Sequence, residues 1–189
     1  MYINRTVKIK RLHVEEFIKE WGYLALFLYS FGGGFVGLVV AGVLSFAGDL
    51  NIYICIAVAA TSNFLGDQFL FTLARNNKAY AKEMMGKYGR KVAYAHILMR
   101  KYGSPVVFIQ KYVYGIKTII PLAMGLTKYN PKKFLVYNIF AAALWACVVG
   151  YASYMVGDIV LSAADEFKYI GIGILAVIIV SISYFFKKI

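Results

Sequence analysis

Between Phe108 and Gly125 the chain reads FIQKYVYGIKTIIPLAMG. Lys111 and Lys117 stand six residues apart in this otherwise apolar stretch, with Gly115 between them and Pro121 after them. On an unbroken helix, side chains six apart point about 120° away from each other. A turn near Gly115 would fold the two arms back and gather both ammonium groups at one place. Each unpaired lysine in hydrocarbon costs at least ~2.5 kcal/mol on insertion scales, so two of them call for an anion. The pattern points to a cationic pocket for a phosphate or carboxylate, with Gln110 and Thr118 beside the lysines as further binding groups. The competing account is snorkelling, in which each long stem carries its charge to the membrane surface. That account suits one lysine better than two.

A second polar group falls in the apolar run 51–74, where Asn63, Asp67 and Gln68 occupy the second half. A carboxylate inside a membrane is by default a functional candidate, as a proton site or as a partner for the central lysines. Near the interface, Asp67 would instead be an ion-pair partner of Arg75 or a neighbouring lysine. His13 and His96 have no second His or Cys at ligand spacing, so no metal and no cofactor is expected. No enzyme motif occurs, and a membrane lipid phosphatase lacks its arginine-rich signature here. Cys55 and Cys147 read as small buried hydrophobes.

The rest of the chain must place these groups within a bilayer. Of 189 residues, 61% are hydrophobic, and the mean hydropathy is +0.65. Several runs reach the ~20 residues needed to cross hydrocarbon. The composition implies an all-α polytopic membrane protein with a single membrane domain. The net charge of +12 is clustered. Residues 75–101 hold eight Lys/Arg against Glu83 alone. Basic clusters flanking membrane segments meet anionic head groups and fix orientation. They do not form a nucleic-acid motif, so no nucleic acid is expected. The N-terminus lacks an apolar run with a small-residue cleavage site, so no removable signal peptide is expected.

The elements expected in order are an interfacial helix over 1–20, a first repeat over 21–75, a second interfacial helix over 76–103, a second repeat over 104–158 and a terminal transmembrane helix over 167–187. Gly32, Gly33 and Gly34 interrupt the run 21–47, and three glycines strongly weaken a helix. A re-entrant hairpin turning there fits, because freed backbone groups at membrane depth need protein or a water-filled cavity. A thin helix made for close packing is the alternative. Pro131 introduces a span over 131–157, and the acidic stretch 158–168 reads as a loop.

Shifting the chain by 83 residues lays Tyr29–Gly32 over Tyr112–Gly115 and Ala41-Gly42 over Met124-Gly125. Each half then reads as interfacial helix, broken hairpin and full span. An odd number of crossings between repeats would invert them and set two broken hairpins nose to nose at the midplane, where transporters bind substrate. Charge places residues 75–101, 128–133 and 187–188 in the cytoplasm, which leaves the basic N-terminal helix on the wrong side unless the first hairpin crosses fully.

The central stretch resembles the DedA family of bacterial membrane proteins, also described by a SNARE-associated or VTT domain. That family's motif runs approximately F-x-x-R-F-x-P-G-x-R-T-x-x-P-x-x-A-G. Phe108, Gly115, Thr118, Pro121 and Gly125 match it, and Lys111 and Lys117 take the two arginine positions. Lysine keeps the charge but loses the planar fork that grips phosphate in two places. Tyr114 and Met124 depart from the pattern, whereas Phe134, Asn138 and Trp145 also look like the family. Upstream, Leu38, Ala41, Gly42, Gly66, Asp67 and Arg75 fit it, with Phe71 and Ala74 as substitutions. Phe35 stands where the family has an acidic residue, so proton coupling would fall to Asp67 or be absent. The resemblance implies two facing re-entrant hairpins and a flippase or scramblase of the bacterial inner (cytoplasmic) membrane. It would move a phosphate-bearing lipid such as undecaprenyl phosphate or a phospholipid. Membrane lipids are then the expected partners, with a homo-oligomer left open. A proton-coupled exporter of small cations or drugs is the second reading.

Overall fold

The computed structural model describes residue 16, residues 20–113 and residues 115–166. The expected interfacial helix over 1–20 and the terminal span over 167–187 lie outside them, apart from Glu16 and Glu20. The described residues form α1 (20–32), α2 (Phe35–Phe46), α3 (Ile52–Asn76), α4 (Lys78–Gly86), α5 (Gly89–Tyr102), α6 (Val106–Tyr112), α7 (Ile119–Leu126) and α8 (Pro131–Glu166).

The first break comes where the glycines require it. Gly34 has φ 63°, in the left-handed region that a side chain resists, and a Cβ there would lie 2.5 Å from the Ser30 Cα. Residues eight apart on a continuous helix are separated by about 12 Å. Here a Cβ on Gly37 would lie 2.7 Å from the Tyr29 ring, so α1 and α2 bend towards each other and do not form one thin rod. The second break follows α6. Val113 is extended, Gly115 has φ 86°, and the chain re-enters a helix at Ile119. Pro121 sits in the first turn of α7, where its missing N–H leaves no hydrogen bond unmade.

Asparagine side chains start three helices. Asn51 accepts from Tyr53 and Ile54 N–H at 2.9 and 3.3 Å, and Asn77 accepts from Tyr80 N–H at 3.1 Å. Asn130 accepts from Lys132 N–H at 2.9 Å just before Pro131, the first residue of α8. Asn51→Ala should cost about 1 kcal/mol, read as a fall of a few degrees in the unfolding temperature in detergent. An unchanged midpoint would mean that the cap contributes nothing.

Two of the described helices, Ile52–Asn76 and Pro131–Ser162, are long and apolar enough to cross a membrane. α8 runs about 54 Å at 1.5 Å per residue, well beyond a hydrocarbon layer of ~30 Å. The stretch from 158, expected as a loop, is helical through Glu166. Gly157 was expected to end the span; it instead lets Phe46 approach, since a Cβ on it would lie 2.6 Å from the Phe46 Cβ. The single interfacial helix expected over 76–103 is two helices, broken at Lys87 and Tyr88 between Gly86 and Gly89. Ala81, Met85, Ala95 and Leu98 on these helices are buried in one core with α7, so the pair packs on protein as well as facing outward.

The packing is crossed between the halves. α2 lies against α8 and α7 against α3, while α3 and α8 also meet each other. Gly42 and Gly125, 83 residues apart, mark the two crossings. A Cβ on Gly42 would meet Ser153, Gly150 and Tyr154 of α8, and one on Gly125 would fall on the Phe71 carbonyl and Ala74 of α3. Phe71 stacks on Phe134 at 4.3 Å between ring centres and 10° between planes, tying α3 to the start of α8. Large apolar side chains such as Phe140, Met155 and Ile159 face outward along α8, as a lipid-facing surface requires.

Candidate functional site

Two polar clusters lie where the helix breaks meet the long helices. In the first, Lys111 at the end of α6 is buried, and its Nζ donates to three oxygens. These are Asp67 Oδ2 at 2.6 Å, Asn63 Oδ1 at 2.6 Å and Asn138 Oδ1 at 2.8 Å. Gln110 Nε2 donates to the same Asp67 oxygen at 3.1 Å. Asn138 Nδ2 donates to the Phe64 carbonyl at 3.0 Å, which fixes the amide so that its oxygen faces Lys111. The ion pair is dry, with 0% and 4% side-chain exposure for Lys111 and Asp67. A lysine has three donors and no acceptor, so this set satisfies it completely.

Asn63 and Asp67 are one turn apart on α3 and share a face. Asn138 and Trp145 are two turns apart on α8 and also share one. These spacings were visible in the sequence, but which lysine they serve was not. Asp67 is the partner of Lys111, not of Arg75. Arg75 donates to the Tyr129 carbonyl, and its guanidinium lies 5.2 Å from the centre of the Phe71 ring. It thereby anchors the link between α7 and α8. The reason is reach: Arg75 is two turns beyond Asp67, at the far end of α3.

The second cluster is built on Lys117. Its Nζ donates to the Gly33 carbonyl at 2.7 Å and lies 5.1 Å from the Trp145 ring. The contact joins the two helix breaks directly, since Gly33 is in the first and Lys117 in the second. Lys117 has no carboxylate partner among the described residues. A carbonyl dipole and an aromatic face hold a cation more weakly than a carboxylate does. Lys111 and Lys117 therefore differ in kind, one neutralised and one held by neutral groups. Trp145 is fully buried and serves as the floor for this ammonium, a role its place in an apolar span does not reveal.

Thr118 is exposed and precedes α7 without capping it through its side chain. Gly32 is exposed, while Gly34, Pro121 and Gly125 are buried. Several buried polar atoms of the two clusters, and Ser30 Oγ before the first break, have no partner among the described residues; the cluster atoms are Asn63 Nδ2, Gln110 Oε1 and Trp145 Nε1. Such groups are costly when unmet, so they mark a region able to hold a polar ligand. Cys55 is buried beside Ser45, but Cys147 is exposed on α8, contrary to the expectation that both are inside. No group of metal-ligating side chains occurs among the described residues.

Comparison with known proteins bears on this arrangement. The family model described as the VTT domain matches residues 17–155. The chain is 24% identical over 176 residues to the inner membrane protein YohD of Escherichia coli (strain K12), spanning 90% of this chain and 92% of that one. It is 26% identical over 193 residues to protein DedA of the same strain, spanning 88% and 84%. No solved structure matches it.

Proposed function

The chain belongs to the VTT-domain (DedA) family of membrane proteins, and from that premise we propose that it is a lipid flippase or scramblase of the bacterial inner membrane. Its substrate is a phosphate-bearing lipid, such as undecaprenyl phosphate or a phospholipid. The observation that carries the reading is Lys117, a lysine at a helix break held, among the described residues, by the Gly33 carbonyl and the Trp145 face. A phosphate oxygen makes a charge-assisted bond that a neutral carbonyl cannot match. The head group takes Lys117 from Gly33, with Thr118 on the exposed side of the turn and the Lys111–Asp67–Gln110 cluster behind it.

The same exchange supplies a mechanism. The Lys117–Gly33 bond ties the two breaks together when no substrate is present. Binding the phosphate releases that tie, so the two tips can separate while the charge remains compensated. In this reading the two broken segments are re-entrant hairpins that meet within the membrane, and the lipid tail stays in the bilayer. A passive or coupled cycle both follow from this step. Export of cations fits less well, because Asp67 Oδ2 already serves Lys111 and Gln110.

The test is transport of NBD-labelled phosphatidylglycerol in proteoliposomes, followed by dithionite quenching. Lys117→Ala should slow transport at least about tenfold, the factor that 1.4 kcal/mol of lost interaction produces. Lys117→Arg should retain most of the rate, since it keeps the charge. Wild-type transport by Lys117→Ala would sink the proposal.

A further inference from the structure

Lys91 is a third lysine at the second helix break, contributed from outside it. It is the third residue of α5 and partly buried. Its Nζ lies 3.4 Å, and its Cε 3.8 Å, from the point where a Cβ on Gly115 would stand. The ammonium therefore rests against the bare backbone of Gly115, two residues before Lys117. No carboxylate pairs with Lys91 among the described residues, and its Nζ lies 5.7 Å from the centre of the Tyr88 ring. The second break thus carries two ammonium groups, those of Lys91 and Lys117, with no carboxylate partner among the described residues. Lys117 bonds to the first break, and Lys91 reaches the turn from α5.

The α5 side is also the strongly basic one. Lys82, Lys87 and Arg90 are exposed on α4, the link and the start of α5, with Glu83 the one acidic residue among them. Such a surface concentrates anionic head groups. Lys91 is the member of this group that reaches inward to the turn. We infer that Lys91 is the outer anion-binding group of the path: a lipid phosphate docks against it at the Gly115 turn before passing to Lys117. Gly115 permits this because it has no side chain to cover the Lys91 ammonium. The assignment rests on the lipid-transport reading, and it adds a residue to which that reading gives no part. An ordinary packing role for the lysine stem is the rival account.

Lys91→Met separates the two accounts, since methionine keeps the apolar stem and removes the charge. Transport of NBD-labelled phosphatidylglycerol is measured over a range of its mole fractions in proteoliposomes. Lys91→Met should raise the half-saturating fraction about fivefold, as expected for one lysine near an anionic surface, with the maximal rate unchanged. Lys91→Arg should match the wild type. A second readout needs no transport: phosphatidylglycerol retained by the purified protein, measured as phosphorus per chain, should fall in Lys91→Met and not in Lys91→Arg. If the wild type fails to transport but retention still depends on Lys91, the docking role stands and the transport reading fails. Unchanged half-saturation together with unchanged retention in Lys91→Met overturns the inference, as does a lowered maximal rate alone.

Discussion

Lys111→Met should destabilise the protein by about 3–5 kcal/mol, because it strands Asp67 as an uncompensated buried carboxylate. With about 2–4 °C per kcal/mol for a chain of this size, the unfolding midpoint in detergent should fall by roughly 6–20 °C. The stranded set is larger than one charge. Asn63 Oδ1 and Asn138 Oδ1 also lose their donor, and Gln110 alone is left to serve Asp67 Oδ2. The double variant Lys111→Met/Asp67→Leu should recover much of the loss, since removing both members of a buried pair is often near neutral. A single variant as stable as the wild type would show that the pair is not dry and buried. A double variant no better than the single would show that the amides, rather than the charges, carry the site. Loss of transport in a Lys111 variant would be entangled with this destabilisation, which makes Lys117 the cleaner probe of the substrate.

The second large effect is expected at the glycines where helices nearly touch. A Cβ on Gly66 would fall on the Phe31 carbonyl oxygen, and one on Gly125 on the Phe71 carbonyl oxygen. Neither neighbour is a flexible side chain that can swing aside, so the helix backbones must move apart. Overpacking of this kind costs about 1–3 kcal/mol for small additions and more when backbone must shift. Gly125→Val should exceed Gly125→Ala, and both should exceed Gly86→Ala, where a Cβ would meet nothing within 4 Å. Because Gly86 lies in the last turn of α4, alanine there should be neutral or stabilising. Comparing the three midpoints in detergent is sufficient. Equal midpoints for Gly125→Val and Gly86→Ala would remove the close crossing of α3 and α7 from the fold.

The two predictions concern the same junction. Gly125 lets α7 lie on α3, and α3 carries Asn63 and Asp67 towards Lys111. A spacing error at Gly125 therefore reaches the ion pair. Tight packing transmits such shifts because helix interfaces have few voids to absorb them.

Much of this architecture is local and was legible in the chain. The breaks follow from Gly34 and Gly115, whose positive φ values no other residue adopts freely. The long apolar helices follow from composition alone, whereas the capping bonds of Asn51, Asn77 and Asn130 are seen in the structure. The 83-residue offset between Gly42 and Gly125 indicated a repeated order of elements, and the motif from Phe108 to Gly125 indicated the family. What sequence could not supply was the difference between the two lysines. Lys111 and Lys117 have the same chemistry and nearly the same surroundings in the chain. Only the packing of α3 and α6 together on α8, and the meeting of the two breaks, give Lys111 a carboxylate from α3 and Lys117 a carbonyl. Those partners stand 44 and 84 residues away, and which helix faces meet across such separations is set by packing the whole set of helices at once.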